Sequence, residues 1–99
     1  MLSRRRLSAA LLAALVVAAC GGGSSEPSLR LGYFPNITHA AALVGVSDGL
    51  FARQLGATKL ETFTFNAGPA AIEALLSGSL DASYVGPNPA INAFVKSRG

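Results

Sequence analysis

At 99 residues the chain has room for one small domain at most. Eight Lys and Arg against five Asp and Glu give a formal charge of +3, but Arg4, Arg5 and Arg6 supply three of those cations at the N-terminus. From Cys20 onward five basic residues (Arg30, Arg53, Lys59, Lys96, Arg98) meet five acidic ones (Glu26, Asp48, Glu61, Glu73, Asp81), so the body is neutral and has no electrostatic footprint for nucleic acid.

The chain opens with "MLSRRRLS", a positive segment, and continues through thirteen largely apolar residues, 7–19. Thirteen are too few to cross a hydrocarbon core of roughly 30 Å, which needs about 20. A basic start and a short apolar run are the anatomy of a secretory signal, and residues 1–19 are set aside from the fold on that ground. The next residues, "VAAC", resemble a bacterial lipobox: Val17, Ala18, Ala19, then Cys20. The resemblance implies that Cys20 is lipidated and becomes the mature N-terminus. As the chain's lone cysteine it has no partner for an internal disulfide. "SRRRLS" is also similar to a twin-arginine export signal, with Leu7 where that signal has Phe, and the export route stays open. Residues 20–28 then read as a lipidated Cys and a Gly/Ser tether. The body, 29–99, is expected outside the cytoplasmic membrane, held to it by the lipid.

In the body, "SLRLGYF" alternates Leu29, Leu31 and Tyr33 and suits a strand. "THAAALVGVSDG" reads as a helix with Thr38 as its cap and Gly49 as its left-handed stop. "LFARQLG" adds a short turn ending at Gly56. "TKLETFTF" is a second strand whose alternation slips at Thr62, the mark of an edge or bulged strand. "GPAAIEALLSG" is a second helix, with Pro69 in its first turn, an apolar stripe of Ile72, Leu75 and Leu76, and a stop at Gly78. "DASYVG" reads as a third strand. "NPAINAFVKSRG" reads as a third helix, with Asn88 as cap, Pro89 in first position, and Ile91, Phe94 and Val95 on one face. Its Lys96 and Arg98 fall in the last turn, where cations suit the dipole.

The order β-α-β-α-β-α with short connections implies an α/β fold, a parallel sheet with helices on both faces. Ligands of open α/β sheets sit beyond the carboxyl ends of the strands. Each strand here ends in small, uncharged turn residues that lead straight into a helix, whose first N–H groups attract anions without any Lys or Arg. Candidate ligand-binding residues are Asn36, Thr38 and His39 from the first loop, Asn66, Ala67 and Gly68 from the second, and Gly86, Pro87 and Asn88 from the third. Such residues also serve as ordinary turn and cap chemistry. His39, the sole histidine, is read as a neutral N–H donor or as a packing residue of the first turn. It has no second His or Cys at ligand spacing, so no metal site and no cofactor is expected. Glu73 is read as structural and Asp81 as turn chemistry. Tyr84 is read as packing against a helix or stacking on a ligand.

"LGYFPNITHAAALVG", "FNAGPAAIEALLSGSLDASYVGPNPAINAF" and the lipobox together resemble the solute-binding lipoproteins of ABC importers in the nitrate/sulfonate/taurine (NMT1-like) group. The resemblance covers nearly all of residues 29–99, and "EALLSGSLD" followed by "GPNPA" is its most specific part. It implies the start of lobe one of a two-lobed type II periplasmic-binding fold that captures a small anion and presents it to a membrane permease and its ATPase. The chain would hold only part of that lobe. The nine loop residues carry over as the site. The alternatives are an anchored, ligand-free lipoprotein fragment and, from another branch of the same fold, a pyrimidine-synthase-like enzyme. That branch carries a cysteine-rich motif which this sequence lacks.

Overall fold

The computed structural model describes Gly23 and residues 25–98; the expected signal segment and Cys20 lie outside them. Three parallel strands form one sheet in the order β2-β1-β3. The central strand, β1 (Ser28–Tyr33), pairs along its whole length with β2 (Lys59–Thr64), from Ser28 opposite Lys59 to Tyr33 opposite Thr64. It meets β3 (Ala82–Ser83) only at Leu31 and Gly32. Parallel strands need a crossover between them, and helices supply it. α1 (Ala40–Ser47) and α2 (Leu50–Leu55) join β1 to β2, α3 (Gly68–Leu76) joins β2 to β3, and α4 (Pro87–Ser97) follows. The expected α/β alternation is present, and β2 is the edge strand that the slip at Thr62 suggests.

Alternation along β1 sends Leu29 and Leu31 to one face of the sheet. There, with Leu60 and Ala82, they meet Phe51 and Leu55 of α2 around an open apolar cavity of about 320 Å³. Gly32 points the other way, toward Leu80 and Ser83. α2 can lie close to α1 because Gly45 has no side chain: a Cβ there would run into the Phe51 ring. Gly49, with φ of 67°, supplies the left-handed residue that separates the two helices. Among the described residues the buried apolar side chains are few: Leu31, Ala42, Ala71, Ile72 and Leu80.

The third strand is shorter than the expected run from Asp81 to Gly86, and its hydrogen bonds say why. The ladder runs through Tyr84 N–H, which donates to the Gly32 carbonyl at 2.9 Å. The next rung of a parallel ladder would take Phe34 N–H to the Tyr84 carbonyl. Instead Phe34 N–H donates to His39 Nδ1, and the Tyr84 carbonyl accepts from Ser83 Oγ. At the other end Asp81, expected to serve the turn, does more. Its N–H donates to the Arg30 carbonyl, and its carboxylate accepts from Arg30 N–H (2.8 Å), Nε (2.9 Å) and the terminal guanidinium nitrogen (2.7 Å). Side chains therefore take over the ladder at both ends of β3.

The expected apolar face of α4 is present, but it is not the face that packs on α3. The helix packs on α3, turning Pro89, Asn92 and Lys96 toward Ile72, Glu73 and Leu76. The apolar stripe of Ile91, Phe94 and Val95 points away and is 63%, 66% and 69% exposed, because no described element lies opposite it.

Two outcomes test this packing. The Arg30 hydrogen bonds hold the Asp81 carboxyl down from 3.8 to about 2. A depressed carboxylate contributes stability above its unfolded value and loses it as pH falls through the folded one. The melting-temperature gap between the native chain and Asp81→Asn should therefore be widest above about pH 4 and close toward pH 2; because the pair is exposed, added salt should narrow it as well. Gly45→Ala should lower unfolding stability by about 1–3 kcal/mol in denaturant titrations, because the new methyl displaces Phe51.

A candidate ligand-binding edge

Parallel pairing places all three strand-to-helix loops, residues 34–36, 65–67 and 84–86, at one edge of the sheet. Phe65 N–H donates to the Tyr33 carbonyl at 3.0 Å and Tyr84 N–H to the Gly32 carbonyl at 2.9 Å, so the two outer loops leave β1 almost level with each other.

The first loop is closed by Asn36, not by Thr38 as the sequence suggests. Asn36 is extended (φ −141°, ψ 162°) and caps a 3-10 turn, Ile37–His39, that leads into α1. Its Oδ1 accepts from Thr38 N–H at 3.1 Å and from the Thr38 hydroxyl. The Thr38 hydroxyl proton is thus spent inside the loop, while the Asn36 side-chain nitrogen has no partner among the described residues. His39 is the one buried polar side chain among the described residues. Its Nδ1 accepts from Phe34 N–H at 3.2 Å, and its ring stacks on Phe34 with centroids 4.6 Å apart. Tyr84, from the third loop, lies 6.4 Å from the same ring and stacks on Phe51 at 6.4 Å. Tyr84 thus packs against α2 through Phe51, as one of its two readings expects, and Phe34 is a neighbour of His39 that no local signal marks.

The second and third loops meet at their helix starts. Ala67 precedes α3 with extended backbone and no side-chain cap. Gly68 lies against Pro89, and any Cβ there would collide with the proline ring. α4 begins earlier than expected: Gly86 is its N-cap, and Pro87, not Pro89, takes the first position. Pro87 can do so because its fixed φ suits a helix start and it has no N–H to satisfy. Ala71 and Ala90 N–H already bond to Ala67 and Gly86 carbonyls. Since Pro69, Pro87 and Pro89 have no N–H, the donors left at the two helix starts are Gly68, Ala70 and Asn88. The Asn88 side chain instead turns along α4, where its Oδ1 lies 3.4 Å from Asn92 Nδ2. It lines a groove of about 240 Å³ between α3 and α4.

Of the nine candidates, the structure joins His39 to the third loop through Tyr84, and Gly68 to the start of α4 through Pro89. Asn36, Thr38, Asn66, Ala67, Pro87 and Asn88 are exposed, Gly68 and Gly86 half-buried. None of the nine is a Lys or Arg, so any attraction for an anion comes from N–H donors and their dipoles. Among the described residues no three His, Cys, Asp or Glu side chains gather as a metal site would require.

The parallel three-stranded sheet flanked by helices, with its loops at one edge, matches the start of a periplasmic-binding-protein lobe. The sequence matches the model of the NMT1-like family over residues 22–98, and the chain belongs to that family. Among solved structures it is similar to the alkanesulfonate-binding protein SsuA from Xanthomonas axonopodis pv. citri bound to MOPS, with a TM-score of 0.61 and 30% sequence identity. The similarity covers 77% of this chain and 25% of that one, so the chain spans about a quarter of that relative's length. No curated protein matches the sequence.

The contact between the two helix starts is open to test. Gly68→Ala should push Pro89 away and loosen α4 from α3. The expected result is faster amide exchange through residues 88–92 with little change in β1 and β2, whereas unchanged exchange there would show that the two starts do not depend on each other.

Proposed function

We propose that the chain is the anion-capturing part of an extracytoplasmic solute-binding component of an ABC importer, anchored through a lipid on Cys20. Its ligand would be a small oxyanion such as an aliphatic sulfonate, taurine or nitrate, delivered to the membrane permease and its ATPase. The observation that carries this reading is the uncharged loop edge, where Gly68, Ala70 and Asn88 leave helix-start N–H groups without a partner in their helices. Kinship with a protein whose structure was solved with the sulfonate MOPS supports the ligand class.

The chemistry follows from the site's neutrality. A sulfonate or nitrate keeps its negative charge at every physiological pH, so it needs donors rather than a titrating base. Backbone N–H groups at helix starts supply donors and a partial positive charge together. Pro69, Pro87 and Pro89 stiffen the segments that carry them, so less order is lost on capture. Asn36, Asn66, Ala67, Gly86 and Pro87 would line the approach, with Thr38 holding Asn36 in place. A binding role also suits His39: its Nδ1 is engaged by a backbone amide, and no carboxylate among the described residues orients it as a base.

Thermal shift tests the proposal directly. Ethanesulfonate, taurine or nitrate should raise the melting temperature with the logarithm of concentration, reaching about 2.7 kcal/mol of stabilisation at a hundred times the dissociation constant. Ethylammonium, of similar size and opposite charge, should give none. No shift with any anion would leave an anchored protein without this ligand.

A further inference from the structure

Hydrogen bonds within the first loop decide which of its polar atoms remain available. A backbone N–H can only donate, so the contact from Phe34 N–H makes His39 Nδ1 an acceptor, and the neutral ring carries its proton on Nε2. Phe34 covers one face of that ring and Tyr84 lies beside it. Only 9% of the residue is exposed, yet no buried side-chain nitrogen or oxygen among the described residues lacks a partner. Nε2 has no bond within the described residues, so it must lie at the sliver of ring that remains accessible. A ring nine-tenths buried therefore presents one polar group outward, a fixed N–H donor beside the end of β1.

We infer that His39, held in the Nε2–H form by the Phe34 amide, is the first loop's direct donor to the captured oxyanion. The inference rests on the anion-binding reading above and adds a named atom to it. A donor whose rotamer and tautomer are both set before binding loses little freedom when the ligand arrives. It also adds a side-chain donor to an edge whose other contributions are mainly backbone. A hydrogen bond to a charged group is worth about 1.5–3 kcal/mol, so its loss should weaken binding roughly tenfold or more.

His39 is the chain's sole histidine, so its ring nitrogens give unambiguous resonances in nitrogen-15 NMR. In the ligand-free chain at mildly alkaline pH, Nε2 should carry the proton and Nδ1 should not. Ethanesulfonate should then shift the Nε2–H signal together with the Gly68 and Asn88 amides. His39→Asn keeps an acceptor for Phe34 N–H while removing the outward donor. It gives up the ring stack on Phe34, so it should melt below the native chain, yet it should keep the native amide spectrum through β1 and β2 and bind ethanesulfonate roughly tenfold more weakly or worse. Protonation on Nδ1 would overturn the inference. So would amide shifts at Gly68 and Asn88 with an unmoved Nε2–H, or native affinity in His39→Asn; either leaves anion capture standing and makes His39 purely structural. If ethanesulfonate moves no resonance, the capture reading falls and this inference falls with it.

Discussion

The two-residue strand β3 is the constraint on which the loop edge depends. So short a strand cannot hold its register by ladder bonds alone, and side chains act at both of its ends. Arg30 and Asp81 tie its entry to β1 through both backbone and side-chain bonds. At its exit His39 takes the amide that would have extended the ladder. The chain after Ser83 is thereby freed from the sheet early enough to turn at Gly86 into α4. A longer β3 would carry Tyr84 and Val85 on beside β1 and move the start of α4 away from Gly68. The position of the third loop is thus set by residues in the first strand and the first loop.

Proline placement at the helix starts involves a trade. Each proline in a first turn removes an N–H that an anion could use, and three of them reduce the donors to Gly68, Ala70 and Asn88. What remains is held more rigidly, with Pro89 lodged against Gly68. For a ligand with a full and permanent charge, a few fixed donors are a better use of the edge than many mobile ones, because binding then costs little ordering. Lysine or arginine would bring stronger attraction but would hold any anion, including those the surroundings supply in excess.

Much of the fold was legible in the sequence because its signals are local. Alternation at Leu29, Leu31 and Tyr33, the stop at Gly49 and the proline at Pro69 act within a few residues of themselves. The edge position of β2 was readable in the same way, from the slip at Thr62. The short β3 was not, because Arg30 and Asp81 are 51 residues apart and nothing in either segment marks the other as partner. The cap of the first loop was misplaced by two residues because both Asn36 and Thr38 are good capping residues, and the choice depends on which backbone is extended. The stripe on α4 was read correctly as apolar, but a stripe does not say what faces it, and here no described element does. His39 was identified from its rarity and position alone; its orientation depends on Phe34 and Tyr84, which no spacing rule connects to it.

The bond that His39 makes to Phe34 and the donor role inferred for it would be coupled through one ring. The same imidazole that ends the β1–β3 ladder with Nδ1 exposes Nε2 at the point where the ladder stops. A residue able only to accept would end the strand and offer nothing outward; one able only to donate would leave the half-buried Phe34 N–H without that partner. Imidazole joins an acceptor and a donor in one rigid plane that the flanking aromatic rings can hold in a single orientation. Asn could supply the acceptor, and Gln could carry a donor out to a similar reach, but neither does both from this position without giving up the stack on Phe34. Closing the sheet and presenting a donor at its edge are therefore met together by one side-chain type, whose position three residues after Asn36 is fixed by the 3-10 turn between them.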